Sequence, residues 1–136
     1  MGVKVAKESI DLGIVTTNGD AMLTFYRDVL GFEHEGDIAM EHVGIKVMHR
    51  LWFGNSLIKI VVPVNDPGAP PAPGGIPGGT GYRYWTMTIE NLDEVLSAVE
   101  AAGQKIVWPR TEVRPGVVIG MIEDPDGNWV EFIQSS

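Results

Sequence analysis

Ile122-Glu123-Asp124-Pro125-Asp126-Gly127-Asn128-Trp129-Val130-Glu131-Phe132 is the stretch whose reading decides the fold. Pro125 presets one backbone angle, and Gly127 supplies the freedom for positive φ that a tight turn requires. The turn separates the apolar run Val117 to Ile122 from Trp129-Val130-Glu131-Phe132-Ile133, which alternates, so the unit predicts a β-hairpin. If Val130 and Phe132 pack inward against a helix, Glu131 must point to the opposite face of the sheet. A carboxylate held there between apolar neighbours calls for a reason.

Working outward, the C-terminal half predicts a strand over Tyr82 to Ile89 and a helix opening at Asn91, where Asn91 and Glu94 have capping-box spacing. Leu92, Val95, Leu96, Val99 and Ala102 form its apolar stripe, and Gly103 ends it. Strands follow around Lys105 to Trp108, Val117 to Ile122 and Trp129 to Ile133. The N-terminal half has the same order. A strand from Ser9 to Thr17 leads into a helix from about Asn18 to Leu30, capped by Asn18 or Asp20, with Met22, Phe25, Tyr26, Val29 and Leu30 facing inward and Gly31 as its stop. Strands around Phe32 to Glu41, Lys46 to Phe53 and Leu57 to Val62 complete that half, with Gly54-Asn55 as a turn. Between the halves, residues 63–81 hold most of the prolines and are rich in glycine, so they form neither helix nor central strand. They are a connector or a flap.

The halves superpose by counting. Gly31 and Gly103 lie 72 residues apart, and Gly54-Asn55 and Gly127-Asn128 lie 73 apart. Lys59 matches Glu131 at 72, and Asp11 matches Tyr84 at 73. A repeated βαβββ unit explains these offsets.

The bulk numbers set bounds. A chain of 136 residues holds one domain with a real core, and its 44% hydrophobic content is that of a soluble globular protein. A net charge of −8 argues against nucleic acid and anionic membrane as partners. With no cysteine, disulfides, thiolate metal sites and cysteine nucleophiles are all excluded. The N-terminus has no signal-peptide pattern and no apolar run reaches about 18 residues, so a cytoplasmic location is expected.

Ala21-Met22-Leu23-Thr24-Phe25-Tyr26-Arg27-Asp28-Val29-Leu30-Gly31-Phe32, the junction Thr86 to Val95 and the segment Asp124 to Phe132 together resemble the vicinal oxygen chelate superfamily, the glyoxalase and bleomycin-resistance fold. The resemblance covers about residues 9–134. It implies an α+β fold in which two tandem βαβββ units, residues 9–62 and 82–134 of a single domain spanning 1–136, form a curved eight-stranded mixed sheet around a cavity, with helices on the outer face. It also implies a homodimer and a small-molecule ligand or substrate. Metal-dependent members of this superfamily place ligands on the first and last strands of each unit. Those positions fall here on Asp11, Lys59, Tyr84 and Glu131, and only Glu131 matches outright. A lysine ammonium offers donors only and a neutral tyrosine is a poor ligand, so no metal and no other cofactor is expected.

Alternation puts Asp11, Lys59, Tyr84 and Glu131 on one inner face, beside Leu57, Val61, Thr86 and Trp129. Lys59 would stand roughly where the metal cation stands in metal-dependent members, paired with Asp11, Glu131 or both, and the Tyr84 hydroxyl would donate to Glu131. Trp129 is either a stacking platform or core packing. His34, His42 and His49 fall away from the expected ligand positions and read as structural; a site joining His49 to Asp11 and Glu131 is the alternative. Two functions follow. One is a metal-independent protein that binds a small aromatic or cationic molecule, with Asp11, Thr86, Trp129, Leu57 and Val61 as contacts. The other is a glyoxalase-type lyase or isomerase in which Glu131 is the general base and Lys59 and Tyr84 stabilise an oxyanion. A dioxygenase ranks behind both.

Overall fold

The computed structural model describes residues 2–136, which divide into two compact units, one up to Pro67 and the other Gly68–Ser136. Each contains one four-stranded mixed sheet.

In the first unit, β1 (Leu12–Val15), β2 (Glu33–Met40), β3 (Ile45–Phe53) and β4 (Ser56–Pro63) lie in the order β1-β4-β3-β2. Three strands form an antiparallel meander, and β1 closes it by pairing in parallel with β4, Gly13 opposite Lys59. A parallel neighbour requires a crossover, which the helical segment supplies. That segment starts as α1 (Gly19–Leu23) and widens into a π-helical stretch over Thr24–Val29, where the Leu30 N–H donates to the Phe25 carbonyl at 3.0 Å. The expected helix is therefore present over its full length, with a wider hydrogen-bond ladder in its second half. Its start is held by Thr16, whose hydroxyl accepts the Asn18 N–H at 2.8 Å, instead of by the Asn18 side chain.

The core follows from the two periodicities. Met22, Phe25 and Tyr26 on the helix and Leu51, Ile58 and Ile60 on β3 and β4 are each at most 2% exposed. Aromatic rings extend it from Phe25 through Tyr26 and Phe32 to Phe53, with neighbouring centroids 5.1–5.7 Å apart. The first strand is shorter than expected, and Ile10 is solvent-exposed.

The second unit repeats the plan. β5 (Tyr84–Thr88), β6 (Ile106–Arg114), β7 (Val117–Glu123) and β8 (Trp129–Ser135) lie in the order β5-β8-β7-β6, with β5 parallel to β8 and α2 (Leu92–Ala101) as the crossover. The decisive turn is as the sequence implies: the Asp124 carboxylate accepts the backbone N–H groups of Asp126 and Asn128 and the Asn128 side-chain amide, all at 2.9–3.0 Å. Leu92, Leu96 and Val99 are buried, and Leu92 and Leu96 pack down onto Gly120, where an added Cβ would lie 3.1–3.3 Å from both. Two expectations need correction here. The capping box is not formed: Asn91 bonds the Glu94 side chain at 3.1 Å and caps no backbone N–H, while the Gln134 side chain from β8 takes the Leu92 N–H at 2.7 Å. Ala102 is exposed because the helix ends one residue earlier.

Residues 68–81 belong to the second unit and pack on it. The Arg83 guanidinium donates to the Ala72 and Gly75 carbonyls at 2.8 and 2.7 Å. This sets Gly75, at φ +60°, directly against the Trp129 ring, where a Cβ would come within 1.9 Å of ring carbons. The tryptophan filling that space is buried, so the loop cannot simply sink. Gly75→Ala should therefore destabilise the fold by about 1–3 kcal/mol, the usual range for overpacking. Thermal unfolding followed by tryptophan emission checks this; an unchanged melting temperature would show that the loop does not cover Trp129.

Candidate functional site

The faces opposite the helices carry the site residues, and the parallel pairs align them. In the second unit β5 and β8 pair Tyr84 with Trp129 and Thr86 with Glu131. Directly opposed residues share a face, so these four stand together while Met87, Val130 and Phe132 turn to the helix. The Thr86 hydroxyl donates to Glu131 Oε1 at 2.6 Å. Among the described residues no second hydrogen bond reaches Glu131 within its unit, so Oε2 is available. The expected Tyr84 donor is replaced by Thr86, because register puts Tyr84 opposite Trp129, one pair along. Met121 on β7 flanks Glu131 from the other side and is fully buried.

Trp129 is packed more tightly than a stacking platform would be. It is 8% exposed, meets Trp108 edge-on with centroids 5.7 Å apart, and donates its indole N–H to Glu123 at 3.2 Å. With Gly75 over its ring, the accessible aromatic surfaces on this face are Tyr84, 49% exposed, and Trp108, 37% exposed.

In the first unit, Asp11, just before β1, and Lys59 and its neighbours Leu57 and Val61 on β4 take the corresponding face. Asp11 Oδ1 accepts from the Lys7 ammonium at 2.7 Å and from the Leu57 N–H at 2.8 Å. The Lys7 hydrogen bond and then the Leu57 N–H hold the Asp11 carboxyl below its ordinary value of 3.8, and the charges of Lys7 and Lys59 add to this. Lys7 thus takes the place expected for Lys59. Among the described residues Lys59 makes no ion pair within its unit, and β3 sets Arg50 directly opposite it. Arg50 is neutralised by Glu35.

A third cluster escaped the sequence reading. Asp37 on β2 lies opposite His49 on β3, and its Oδ1 accepts from His49 Nδ1 and His34 Nε2, both at 2.7 Å. Burial raises the Asp37 carboxyl, but the hydrogen bonds from His49 and His34, helped by their charge, outweigh it and leave a net lowering. One ligand atom from each of the three residues falls within 4.8 Å of the others. His49 is 8% exposed, with Nε2 beside Gly19 on the helix side of the sheet. It therefore does not join Asp11, which serves the opposite face. His42 sits apart, exposed on a short helical turn over Glu41–Val43.

The reason the cluster was missed is a bulge. The β2–β3 register slips between His34 and Gly36, which lets His34 and Asp37, three apart in sequence, emerge on one face. Gly36, at φ +149°, accommodates the irregularity. A glycine inside a strand pattern was the available signal.

A shallow depression of about 320 Å³ near the start of α2 is lined by Arg110, Glu112, Val118 and Gln134. Alternation puts Gln134 on the face opposite Glu131, and its side chain is committed to Leu92, so this depression is not part of the Glu131 face.

Comparison with known proteins agrees with this architecture. A family model described as the Glyoxalase/Bleomycin resistance protein/Dioxygenase superfamily matches residues 10–132. No curated protein sequence matches the chain. Among solved structures, a glyoxalase family protein from Bacillus cereus is similar at 17% identity and TM-score 0.81, covering 98% of this chain and 96% of its own. A glyoxalase family protein from Enterococcus faecalis is similar at 21% identity and TM-score 0.66, covering 96% of each chain. The fosfomycin resistance protein FosX from Listeria monocytogenes, solved with Mn(II) and sulfate, is similar at 12% identity and TM-score 0.66, covering 98% of this chain and 95% of its own. At these identities the likeness is one of fold.

The Asp11 geometry gives a pH prediction. A carboxyl held low by its partners stabilises the fold fully above 3.8, and that contribution is lost as pH falls through the lowered folded value. Asp11→Asn should melt slightly below wild type near neutral pH, and the gap should close on acidification below 3.8. Paired thermal melts across pH check this; a gap that persists in acid would mean the carboxylate charge is not what Asp11 contributes.

Proposed function

The chain belongs to the Glyoxalase/Bleomycin resistance protein/Dioxygenase superfamily, and on that premise we propose that it binds a small organic molecule bearing an aromatic ring and a cationic group. Glu131 is the anchor of this reading. Its carboxylate is fixed by Thr86 through one oxygen and keeps the other for a ligand cation, with Tyr84 beside it and Trp129 beneath as support. On the first unit's own open face, Asp11, Lys59, Leu57 and Val61 are proposed as the corresponding ligand contacts. No membrane partner enters this reading, and no helix among the described residues is long and apolar enough to cross a membrane. A homodimer acting in the cytoplasm on a small molecule completes the proposal.

The observation that carries it is the donor set. At the four positions where metal-dependent members hold an ion, Lys59 can only donate, Tyr84 is a poor ligand, and Asp11 already has Lys7 and Leu57 on one oxygen. These residues do not fit a divalent ion, and no step is assigned to one. They do fit an organic ligand with one charged group.

One observation favours a second reading, catalysis of a glyoxalase-type isomerisation or lyase reaction. A carboxylate with one oxygen pinned and the other open is arranged to accept a proton, with Tyr84 on the same face as oxyanion stabiliser. Turnover separates the two readings, because a binding protein leaves its ligand chemically unchanged.

Titration of a panel of aromatic amines against intrinsic tryptophan emission should give saturable quenching for at least one member. Glu131→Gln should weaken that binding at least tenfold, about 1.4 kcal/mol. Lys59→Met, a control on the first unit, should leave binding of a cationic ligand at Glu131 intact. Equal affinity in wild type and Glu131→Gln would remove Glu131 from the site, and consumption of the ligand would establish the enzymatic reading.

A further inference from the structure

The His34–Asp37–His49 cluster takes no part in the function proposed above, yet it is built with care. The bulge at Glu35 and Gly36 brings His34 round to the face of Asp37, and antiparallel pairing sets His49 opposite Asp37. Both histidines converge on one Asp37 carboxylate oxygen, with the two imidazole rings 6.0 Å apart at 75°. His49 is almost buried, whereas the side chains of His34 and Asp37 are 21% and 44% exposed, so the cluster is closed on its inner side and open to solvent on its outer side.

We infer that His34 Nε2, His49 Nδ1 and an Asp37 carboxylate oxygen form a binding site for one divalent transition-metal ion, on the helix side of the first unit. Two imidazoles and a carboxylate are a ligand set that zinc, cobalt, nickel and ferrous ions accept, and three protein ligands leave a position for water on the open side. The dimensions suit it. In a tetrahedral site, metal–ligand bonds of about 2.0–2.1 Å put two ligand atoms about 3.3–3.4 Å apart. The three atoms already lie within 4.8 Å of one another, so closing onto an ion opens the two 2.7 Å contacts by about 0.6 Å and draws the imidazole nitrogens together by at most about 1.4 Å. The ion would replace the two ring N–H hydrogens that now point at Asp37. The nearby cation is Arg27, whose guanidinium is engaged by Asp28 at 2.9 Å and also senses Asp37. Glu35 and Arg50 neutralise each other and add no net charge.

The site is separate from the Asp11 and Lys59 face, because His49 and Lys59 lie on opposite faces of the same sheet. Metal retained by this protein would therefore be no sign that the superfamily's usual ligand positions are intact.

The test uses the full chain, untagged and stripped of metal, titrated with zinc alone by calorimetry and with cobalt alone by visible absorption. One ion per chain is expected. His34→Ala and Asp37→Asn should each weaken binding at least a hundredfold, while Asp11→Asn and Glu131→Gln should leave it unchanged. Circular dichroism controls for folding, and His34→Gln, which keeps a hydrogen-bond donor for Asp37, serves as the second variant if His34→Ala loosens β2. Absence of stoichiometric binding by both ions would overturn the inference. So would binding that survives His34→Ala, or binding lost in Asp11→Asn or Glu131→Gln.

Discussion

The structure of each unit depends on one parallel strand pair, β1 with β4 and β5 with β8. A parallel pair cannot be joined by a tight turn, so the chain must cross over, and the crossover helix covers one face of the sheet. That leaves the other face to carry polar side chains such as Glu131 among packed ones such as Trp129 and Met121. Residues of the paired strands then stand side by side at fixed register, which is how Thr86 comes to hold Glu131 and how Gly13 comes to leave room beside Lys59. The apolar alternation that stabilises the fold is thus the same feature that lines up the polar groups.

The two faces of one sheet carry different chemistry for the same reason. In the first unit, the set facing away from the helix is Lys59 with Arg50 opposite, while the helix-side set includes His49 and Asp37. A single irregularity adds His34 to the latter. Without the slip between His34 and Gly36, alternation would send His34 and Asp37 to opposite faces and the cluster would not exist. Local backbone geometry, more than residue content, decides which side chains meet.

That contrast explains what was legible in the sequence. The repeat, the crossover helices, the Asp124–Asn128 turn and the facing of Asp11, Lys59, Tyr84 and Glu131 all follow from patterns of period 2 and 3.6 read along the chain. Partner choice did not. Lys7, not Lys59, reaches Asp11 because it lies in the segment leading into β1, where no periodicity constrains it. Gln134, not a local side chain, takes the Leu92 N–H because the end of β8 lies beside the start of α2. Gly75 over Trp129 is also a tertiary fact: a Pro/Gly-rich loop announces freedom, and the Arg83 anchor that removes some of it is visible only once the loop is folded back.

The central claim is that the face carrying Thr86 and Glu131 receives an organic ligand. The most direct measurement is NMR chemical-shift mapping of the full chain during titration with a cationic aromatic amine. The account predicts perturbed amides centred on Thr86, Met121 and Glu131, with smaller changes at Tyr84. Perturbations confined to the helix-side residues Arg110, Val118 and Gln134, or none across a chemically varied panel, would contradict it.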